Sequence, residues 1–442
     1  MNSKIFTLLG SSFLLLMGTA SAQETGAQET ASSISHLDTA FLLICAALVF
    51  IMQAGFCLVE MGFSRAKNSI NIIMKNMCDM GAGSIMFFLV GFGLMYGWSR
   101  GGYFATGNLP FDSSFGAEHP VWIFFLFQVM FAAATATISS GAMAERTYFP
   151  GYLIYAVLGC GVIYPFLGHW AWGGFGADFG FGGGNGWLAD LGFKDFAGGT
   201  VVHGVGGAFA LAGIMVIGPR KGRFSEDGSA KIFPGHNVPL ASLGMFLLFF
   251  GWFGFNCGSV LAADGTIGRI AVNTMLGSCG GITAALIFHW VTKGWADPGS
   301  AINGALGGLV GVTACSNVIA PWAAVVIGLV AGVLVIVAEG LLLKMKLDDA
   351  VGAVPVHLVC GIWGTLCVSI FNENGFFLNF GAQVLGAFLI PTVAFAIIWV
   401  VFILIDKTVG LRATDEAQDA GLDFAEHSST AYPDFAINEE EL

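Results

Sequence analysis

The sequence has few charged side chains: Asp, Glu, Lys and Arg make up 10% of its 442 residues, whereas hydrophobic residues make up 56%. A soluble domain has about a quarter of its residues charged. Apolar stretches of about 20 residues, the length that a helix needs to cross a bilayer, recur along most of the chain. This composition excludes a soluble globular protein. It predicts an all-α polytopic membrane protein, because the short alternating segments of a membrane β-barrel are missing.

The sequence also lacks the common metal and redox motifs. Its nine cysteines form no C-x-x-C pair, and no H-E-x-x-H or similar ligand spacing occurs. Each cysteine lies in or beside an apolar run, where we expect a small buried side chain and no disulfide. We therefore predict no metal and no cofactor. No pairing of a nucleophile with a base favours an enzyme either.

Both ends of the chain differ from its apolar middle. No basic residue follows Arg412, whereas nine acids do, so much of the net charge of −12 belongs to a tail. We predict that residues 406–442 form an acidic cytoplasmic tail, and nucleic acid is not an expected partner. Residues 1–22 have the pattern of a cleavable signal peptide, with Lys4, an apolar core and the motif Ala20-Ser21-Ala22. Residues 23–37 would then be a polar extracytoplasmic segment.

Hydrophobicity divides the membrane domain, residues 38–405, into eleven predicted membrane-spanning helices. They cover residues 39–61, 69–97, 120–142, 148–168, 197–218, 238–258, 267–291, 300–316, 320–343, 352–371 and 380–405. With the N-terminus outside, twelve Lys and Arg residues fall on the inner side and three on the outer side. This asymmetry predicts an N-out, C-in orientation.

One segment of the chain is repeated. Asp195-Phe-Ala-Gly-Gly-Thr-Val-Val-His203 recurs 154 residues later as Asp349-Ala-Val-Gly-Ala-Val-Pro-Val-His357, and over thirteen positions the copies share six residues. The first copy opens the fifth span from outside, and the second opens the tenth span from inside. We therefore predict two inverted five-helix repeats followed by one further helix. Asp195 and Asp349 stand at N-cap positions, where a carboxylate supports the helix structurally.

The repeat delivers two histidines to equivalent depths. Each lies eight residues, about 12 Å of helix, below its membrane face, near the midplane of a core about 30 Å thick. A lone histidine on an apolar face is often a satisfied core residue. The repetition favours a functional pair, because an ionisable group inside a membrane is energetically expensive. Two neutral imidazoles without a metal suit hydrogen bonding to a small polar solute or transfer of a proton.

Aromatic side chains cluster in three of the predicted spans. Gly251-Trp-Phe-Gly-Phe-Asn-Cys-Gly-Ser259 combines three rings with a hydroxyl, Phe127 and Phe131 are one turn apart, and His169-Trp-Ala-Trp172 ends the fourth span. Aromatic faces attract ammonium-type cations, and more strongly where water is excluded. Packing or a belt at the membrane interface is the alternative interpretation. We interpret His169 as interfacial.

These segments together resemble the ammonium transporter family (Amt/MEP, related to Rh proteins). The resemblance covers about residues 38–435 and rests on Asp195…His203, Trp252-Phe-Gly-Phe-Asn-Cys-Gly-Ser259, Gly141-Ala-Met-Ala-Glu-Arg146 and Asp348-Asp349…His357. It implies a homotrimer with a pore in each subunit, surrounded by the lipid of a bacterial inner membrane. It also implies ammonium or ammonia as the substrate, with methylammonium as an analogue.

The resemblance also assigns roles to particular residues. It matches Phe131, Trp172 and Ser259 to the outer recruitment site, Phe131 and Phe255 to the gate, Phe127 and Trp252 to the pore lining, His203 and His357 to the twin histidines, and Asp195 to structural support. Trp172 and Ser259 favour the Amt branch over the Rh branch. An insertion of roughly eleven residues within residues 173–190 departs from the family pattern, as does Gly352, where an acid sometimes stands.

The function that the resemblance implies is transport of ammonium as separated ammonia and proton. The alternatives are a passive ammonia channel of the Rh type and an ammonium sensor that acts through a partner. The segment Gly421–Tyr432 resembles the family's tail, which couples subunits and in bacterial members binds PII-type regulators. Its alternative interpretation is a disordered acidic tail.

Overall fold

The computed structural model describes residues 34–107 and 115–433 of the chain. The predicted signal peptide, residues 1–22, and residues 23–33 of the N-terminal segment lie outside the described residues. In the described part, nine helices are long and apolar enough to cross a membrane. Two shorter helices lie where the eighth and tenth spans are predicted.

We number these nine helices and the two shorter ones together, in chain order. They are α1 His36–Phe63, α2 Ala66–Tyr96, α3 Val121–Ala142, α4 Phe149–Phe179, α5 Gly199–Ile217, α6 Val238–Gly258, α7 Ile267–Lys293, α8 Pro298–Thr313, α9 Pro321–Lys344, α10 Val354–Ile370 and α11 Phe380–Thr408. Nearly all of these bounds fall within a few residues of the predicted ones. The exception is α4, which runs about eleven residues beyond the predicted end.

Polar caps and prolines set several helix starts. At α1, the Ser35 hydroxyl accepts the Asp38 amide while the Asp38 carboxylate accepts the Ser35 amide, which is a capping box. The Asp297 carboxylate accepts the Ser300 amide at 2.7 Å at the start of α8, and Pro298 occupies the first helical position. Proline fits there because the backbone N–H that it lacks would have no intrahelical acceptor in the first turn.

Equivalent helices of the two predicted halves pack against each other. Along the α1–α6 contact, a Cβ on Gly251 would lie 2.2 Å from Cγ of Met52. Along the α5–α10 contact, a Cβ on Gly361 would lie 2.3 Å from the carbonyl oxygen of Gly199. Only glycine allows such approach, and close backbone packing is the main attraction between helices in lipid.

Four of the helices contain wider, π-helical turns. Those in α5 and α10 cover Gly199–Gly204 and Val354–Val359, so each contains one of the paired histidines. Such turns leave backbone groups out of the regular ladder and often occur at functional sites. The structure thus repeats the local geometry of the two segments as well as their sequence.

A small cap covers the end of the bundle that we call outer, following the predicted orientation. Strands β1 Trp98–Arg100 and β2 Phe104–Thr106 form an antiparallel hairpin, and the Ser99 amide donates to the carbonyl of Gly183 at 2.8 Å. The segment that carries the insertion is therefore folded onto the hairpin.

Two expectations about single residues are wrong. His169, interpreted as interfacial, is completely buried: one ring nitrogen bonds to the Met95 carbonyl at 2.7 Å and the other to the Ser99 hydroxyl at 2.9 Å. The cap covers the residue that the sequence places at the membrane edge. All nine cysteines are free thiols and six are buried, but Cys57 and Cys78 are half-buried and Cys279 is exposed on α7.

The opposite, inner end carries buried ion pairs. Arg220 donates to Glu145 at 2.7 Å and through two nitrogens to Asp348 at 2.8 and 2.9 Å. Burial raises the pKa of the Asp348 carboxyl, but its bonds to Arg220 and the charge of Arg146 outweigh burial and hold that pKa below its usual value.

The described part of the tail packs on this end as two short helices, α12 Asp415–Ala420 and α13 Leu422–His427. The Lys67 ammonium donates to two carbonyls of the segment at 2.7 Å. The backbone N–H of Asn71 donates to the Asp423 carboxylate at 2.8 Å. Residues 415–427 are therefore ordered against the membrane domain, in contrast to the disordered alternative.

Candidate pore site

The two histidines of the repeat meet in the middle of the bundle. Nδ1 of His203 lies 3.1 Å from Nδ1 of His357, and the ring centroids are 5.2 Å apart at an interplanar angle of 23°. Only 1% of His203 and 5% of His357 is exposed. One Nδ1 must carry a proton and the other must accept it, so the pair shares a single hydrogen bond.

Aromatic rings surround the pair. His203 stacks on Trp252 at 5.1 Å and on Phe255 at 5.5 Å between centroids, and Phe56 lies 6.0 Å from His357. The indole N–H of Trp252 donates to the Thr313 hydroxyl at 2.8 Å and not to an imidazole. Nε2 of His203 has no hydrogen-bond partner among the described residues. A polar solute beside it would find one nitrogen available in an apolar wall.

Two phenylalanine rings lie against each other on the outer side of the pair. The rings of Phe131 and Phe255 lie 4.2 Å apart between centroids at 33°, and Phe127 packs edge-on against Phe131 at 4.8 Å. All three side chains are buried. The arrangement excludes an ion with its hydration shell unless the rings move.

Outside these rings lies a small pocket. Phe131, Trp172 and Ser259 all line it. The Trp172 indole donates to the Asp195 carbonyl at 2.7 Å, and its ring stands edge-on to Phe131 at 6.2 Å. The Ser259 hydroxyl donates to the Phe255 carbonyl at 2.8 Å, which leaves its lone pairs for a ligand donor.

The pocket also contains residues that the sequence analysis did not select. Gln128, Phe175, Phe196 and Leu261 complete its wall. Gln128 is 3% exposed, and its Oε1 has no partner among the described residues. Its signal in the sequence is that it is the only amide in an apolar stretch, directly after Phe127.

The two repeated aspartates hold the helices that carry the histidines. The Asp195 carboxylate accepts four backbone N–H groups of the first turn of α5, at 2.7 to 3.0 Å. Asp349 accepts the amides of Val351, Gly352 and Val354 at 2.7 to 3.3 Å. Neither carboxylate is among the residues that line the outer pocket.

The described part of the chain contains no group of three or more His, Cys, Asp and Glu side chains placed to hold a metal ion. The site is thus defined by aromatic faces, one hydroxyl, one amide and two imidazoles. Together with the apolar helices, these features define a polytopic membrane protein with an aromatic, largely apolar candidate site inside the bundle.

Residues 40–432 match the Ammonium Transporter Family. The chain is 41% identical to ammonium transporter Amt2 of Archaeoglobus fulgidus, over 97% of this chain and 95% of that protein. It is 36% identical to ammonium transporter 1 member 3 of Solanum lycopersicum, over 91% and 94%. The solved structure named "Sensor Amt Protein" superposes with a TM-score of 0.84 at 41% identity, covering 88% of this chain and 98% of that one.

The chain belongs to the ammonium transporter family, and its relatives are of the Amt type. Members of the family are transporters and not enzymes.

Proposed function

We propose that this protein recruits ammonium at the outer pocket, removes its proton and conducts ammonia past the phenylalanine gate to the paired histidines. The proton crosses separately, with the histidine pair as its relay, so that transport carries net charge. The observation that carries the proposal is the hydrogen-bonded imidazole pair, buried in an apolar passage.

Selectivity follows from the chemistry of the substrate. Potassium and ammonium have similar size and charge, and an unpaired cation in hydrocarbon is unfavourable by several kcal/mol. Ammonium alone can leave a proton behind and continue as a neutral molecule. An apolar pore therefore rejects potassium without a dedicated filter.

The outer pocket suits the first step. The faces of Phe131 and Trp172 attract a cation, and the Ser259 hydroxyl and Gln128 Oε1 offer acceptors for its N–H groups. The ammonium ion sheds its hydration shell only where these groups replace the contacts that the water molecules made. The ion then releases its proton, and ammonia passes between Phe131 and Phe255.

The histidine pair suits the second step. Ammonia donates to or accepts from the free Nε2 of His203, while the Nδ1–Nδ1 hydrogen bond joins the two rings. A proton received at one ring is matched by release of a proton at the other, so the pair returns to its neutral state. The products on the inner side are one ammonia and one proton.

We further propose eleven spans in two inverted halves plus one helix, oriented N-out and C-in, as a homotrimer in the inner membrane of a bacterium. The distribution of basic residues and the clustered arginines of the inner end support this orientation. A PII-type regulator at the tail is the proposed soluble partner.

A second candidate is an ammonium sensor that acts through such a partner. The similarity to the structure named "Sensor Amt Protein" favours it. A sensor of this kind needs the outer pocket and the tail, but it does not need rapid flux.

The test is the double variant His203→Ala with His357→Ala in proteoliposomes on a solid-supported membrane. We expect a folded protein that has lost normal ammonium transport, because both relay groups are gone and the passage can no longer exchange protons. Uptake of methylammonium and the ammonium-evoked current are both measured. Unchanged uptake and current in the double variant would refute the relay.

A further inference from the structure

A group of buried charges lies beside the inner part of the pore, apart from the residues discussed above. It consists of Glu60 on α1 and of Lys75 and Asp79 on α2, with exposed fractions of 3%, 0% and 0%. Among the described residues, no ion pair joins any two of them. Unpaired charges in an apolar bundle are unfavourable, so their presence requires an explanation.

Ser140 links two members of the group. Its hydroxyl donates to Glu60 Oε2 at 2.8 Å, and its carbonyl accepts from the Lys75 ammonium at 2.9 Å. The Asn76 amide donates to the same Glu60 oxygen at 3.2 Å. Further along α2, Asp79 Oδ2 accepts from the Tyr152 hydroxyl at 2.7 Å, and Oδ1 has no partner in the described structure.

Glu60 also lines a cavity that reaches the histidine pair. The cavity lies between α1, α3, α6, α8 and the start of α10. Among its lining side chains, only Glu60 and His357 can take up or release a proton near neutral pH; the remaining walls are mainly aliphatic and aromatic. A proton that leaves His357 towards the inner end therefore meets one acceptor.

We propose that Glu60 is the proton-exit group of the pore. The inference rests on the proposed function, since it requires a proton that travels apart from ammonia. The His357 imidazolium gives its proton to the Glu60 carboxylate across the cavity, which leaves neutral His357 and a carboxylic acid. Glu60 then gives the proton to ammonia or water at the inner end, so ammonium or hydronium forms and the carboxylate returns.

The neighbouring charges make the transfer possible. With Glu60 and Asp79 ionised, the group of three carries one net negative charge, and one proton makes it neutral. The apolar interior favours the neutral group, so the Glu60 carboxylate can accept a proton. The positive charge of Lys75 favours the ionised carboxylate, so Glu60 can release the proton again. The other charged groups near Lys75 are Arg146 and Glu426, and Cys57 lies near Glu60 on the same helix.

The experiment compares Glu60→Gln with wild type in proteoliposomes whose internal pH is varied. Glutamine keeps an acceptor for Ser140 and Asn76 but cannot carry a proton. We expect the maximal ammonium current to fall about tenfold or more, and its dependence on internal pH to disappear, because general acid–base groups contribute that much or more. The apparent affinity for external ammonium should stay the same within about twofold, since Glu60 is remote from the outer pocket.

The matched control is Glu339→Gln, the same change on an exposed face of α9, which should leave the current unchanged. Glu60→Asp retains a carboxylate and should restore both the internal-pH dependence and part of the current. This variant replaces Glu60→Gln if the glutamine protein does not assemble. A purely structural role would scale the current equally at every internal pH, and that result would overturn the proposal.

The outcomes also separate this inference from the proposed function. If wild type carries a selective ammonium current and Glu60→Gln matches it at every internal pH, the exit role of Glu60 is wrong and the histidine relay stands. If wild type carries no such current, the proposed function fails and the exit role fails with it.

Discussion

Trp172 shows how single contacts orient the outer pocket. Its indole N–H donates a hydrogen bond to the Asp195 carbonyl, so the orientation of the indole is fixed. Its ring stands at 82° to that of Phe131, so two aromatic surfaces of different orientation border the same space. In the proposed function, a small cation in this space would contact π-electron density from two directions.

Replacing Trp172 by alanine should therefore weaken binding more than it slows turnover. Cation–π contacts in a desolvated site contribute about 1–2 kcal/mol, so we expect the apparent KM for ammonium to rise about tenfold with a smaller change in maximal current. Trp322→Ala is the control, because Trp322 is 58% exposed on α9. An unaltered KM in Trp172→Ala would show that another residue binds the ammonium ion.

At this scale the sequence revealed the histidines through their repetition and the aromatic residues through the family resemblance, but it missed Gln128 and Glu60. His203 and His357 are conspicuous because an acid and a histidine keep the same spacing in both copies. Gln128 and Glu60 have no repeated partner, and their importance appears only when helices distant in sequence enclose a common cavity. The burial of His169 depends on the outer cap, which hydrophobicity does not predict.

The aspartates at the starts of α5 and α10 act on whole helices. Four N–H groups of α5 converge on Asp195, whereas an ordinary N-cap satisfies one or two. The wide turns that contain the histidines come directly after these contacts. The carboxylates thus stabilise the backbone that aims each imidazole.

We expect Asp195→Ala to lower the free energy of unfolding by about 2–4 kcal/mol, because four buried donors lose their acceptor. Asp297→Ala removes a cap that accepts a single N–H from Ser300 and should lower it by only about 1 kcal/mol. Thermal melting of both variants in detergent compares them. Equal melting temperatures would contradict the role of Asp195 as a multiple cap.

The docked tail contains two groups with opposite responses to pH. Burial raises the pKa of Glu426 from 4.5 to about 7, against opposing bonds from the Phe149 amide and Asn71. Burial lowers the pKa of His427 from its usual 6.5. As the pH falls from about 7 towards 4.5, Glu426 therefore strengthens docking; as the pH falls through about 6.5, protonation of His427 weakens it.

The variant Glu426→Gln removes the group whose pKa burial raises to about 7, while His427 is retained. We expect its α13 amides to exchange hydrogen faster, relative to wild type, as the pH is lowered from about 8 to about 5.5, after correction for intrinsic rates. His427→Asn should show the reverse, with protection that increases on acidification. The same pH profile in all three proteins would exclude both groups from the docking equilibrium.

Element positions were largely predictable, whereas their internal geometry was not. Long apolar stretches mark helices such as α1 and α6 to within a few residues, because the membrane requires a nearly fixed length. A wide turn adds one residue to a helix without changing its composition, so nothing in Gly199–Gly204 signals it beforehand. The insertion after Trp172 forms part of the outer cap through contacts with the β1–β2 hairpin, which are distant in sequence.

For the whole molecule, the inner end and the middle of the bundle differ in how the predicted halves are joined. At the inner end, Arg220 lies after the fifth helix and bonds to Asp348 just before the tenth, while Glu145 joins the same cluster. Removing one member of a buried cluster of this kind leaves an unpaired charge and costs about 3–5 kcal/mol. In the middle, glycine contacts, stacked aromatic rings, the imidazole pair and the hydrogen-bonded hydroxyls of Thr200 and Thr365 connect the halves. These contacts are largely apolar.

The measurement that tests this account most directly is the current of wild-type protein on a solid-supported membrane, with ammonium compared against potassium at equal concentration. We predict an ammonium current that saturates, a smaller methylammonium current and no potassium current, because only a cation that can leave its proton crosses an apolar pore. A potassium current of similar size, or ammonia flux without any ammonium current, would contradict the separated passage of ammonia and proton.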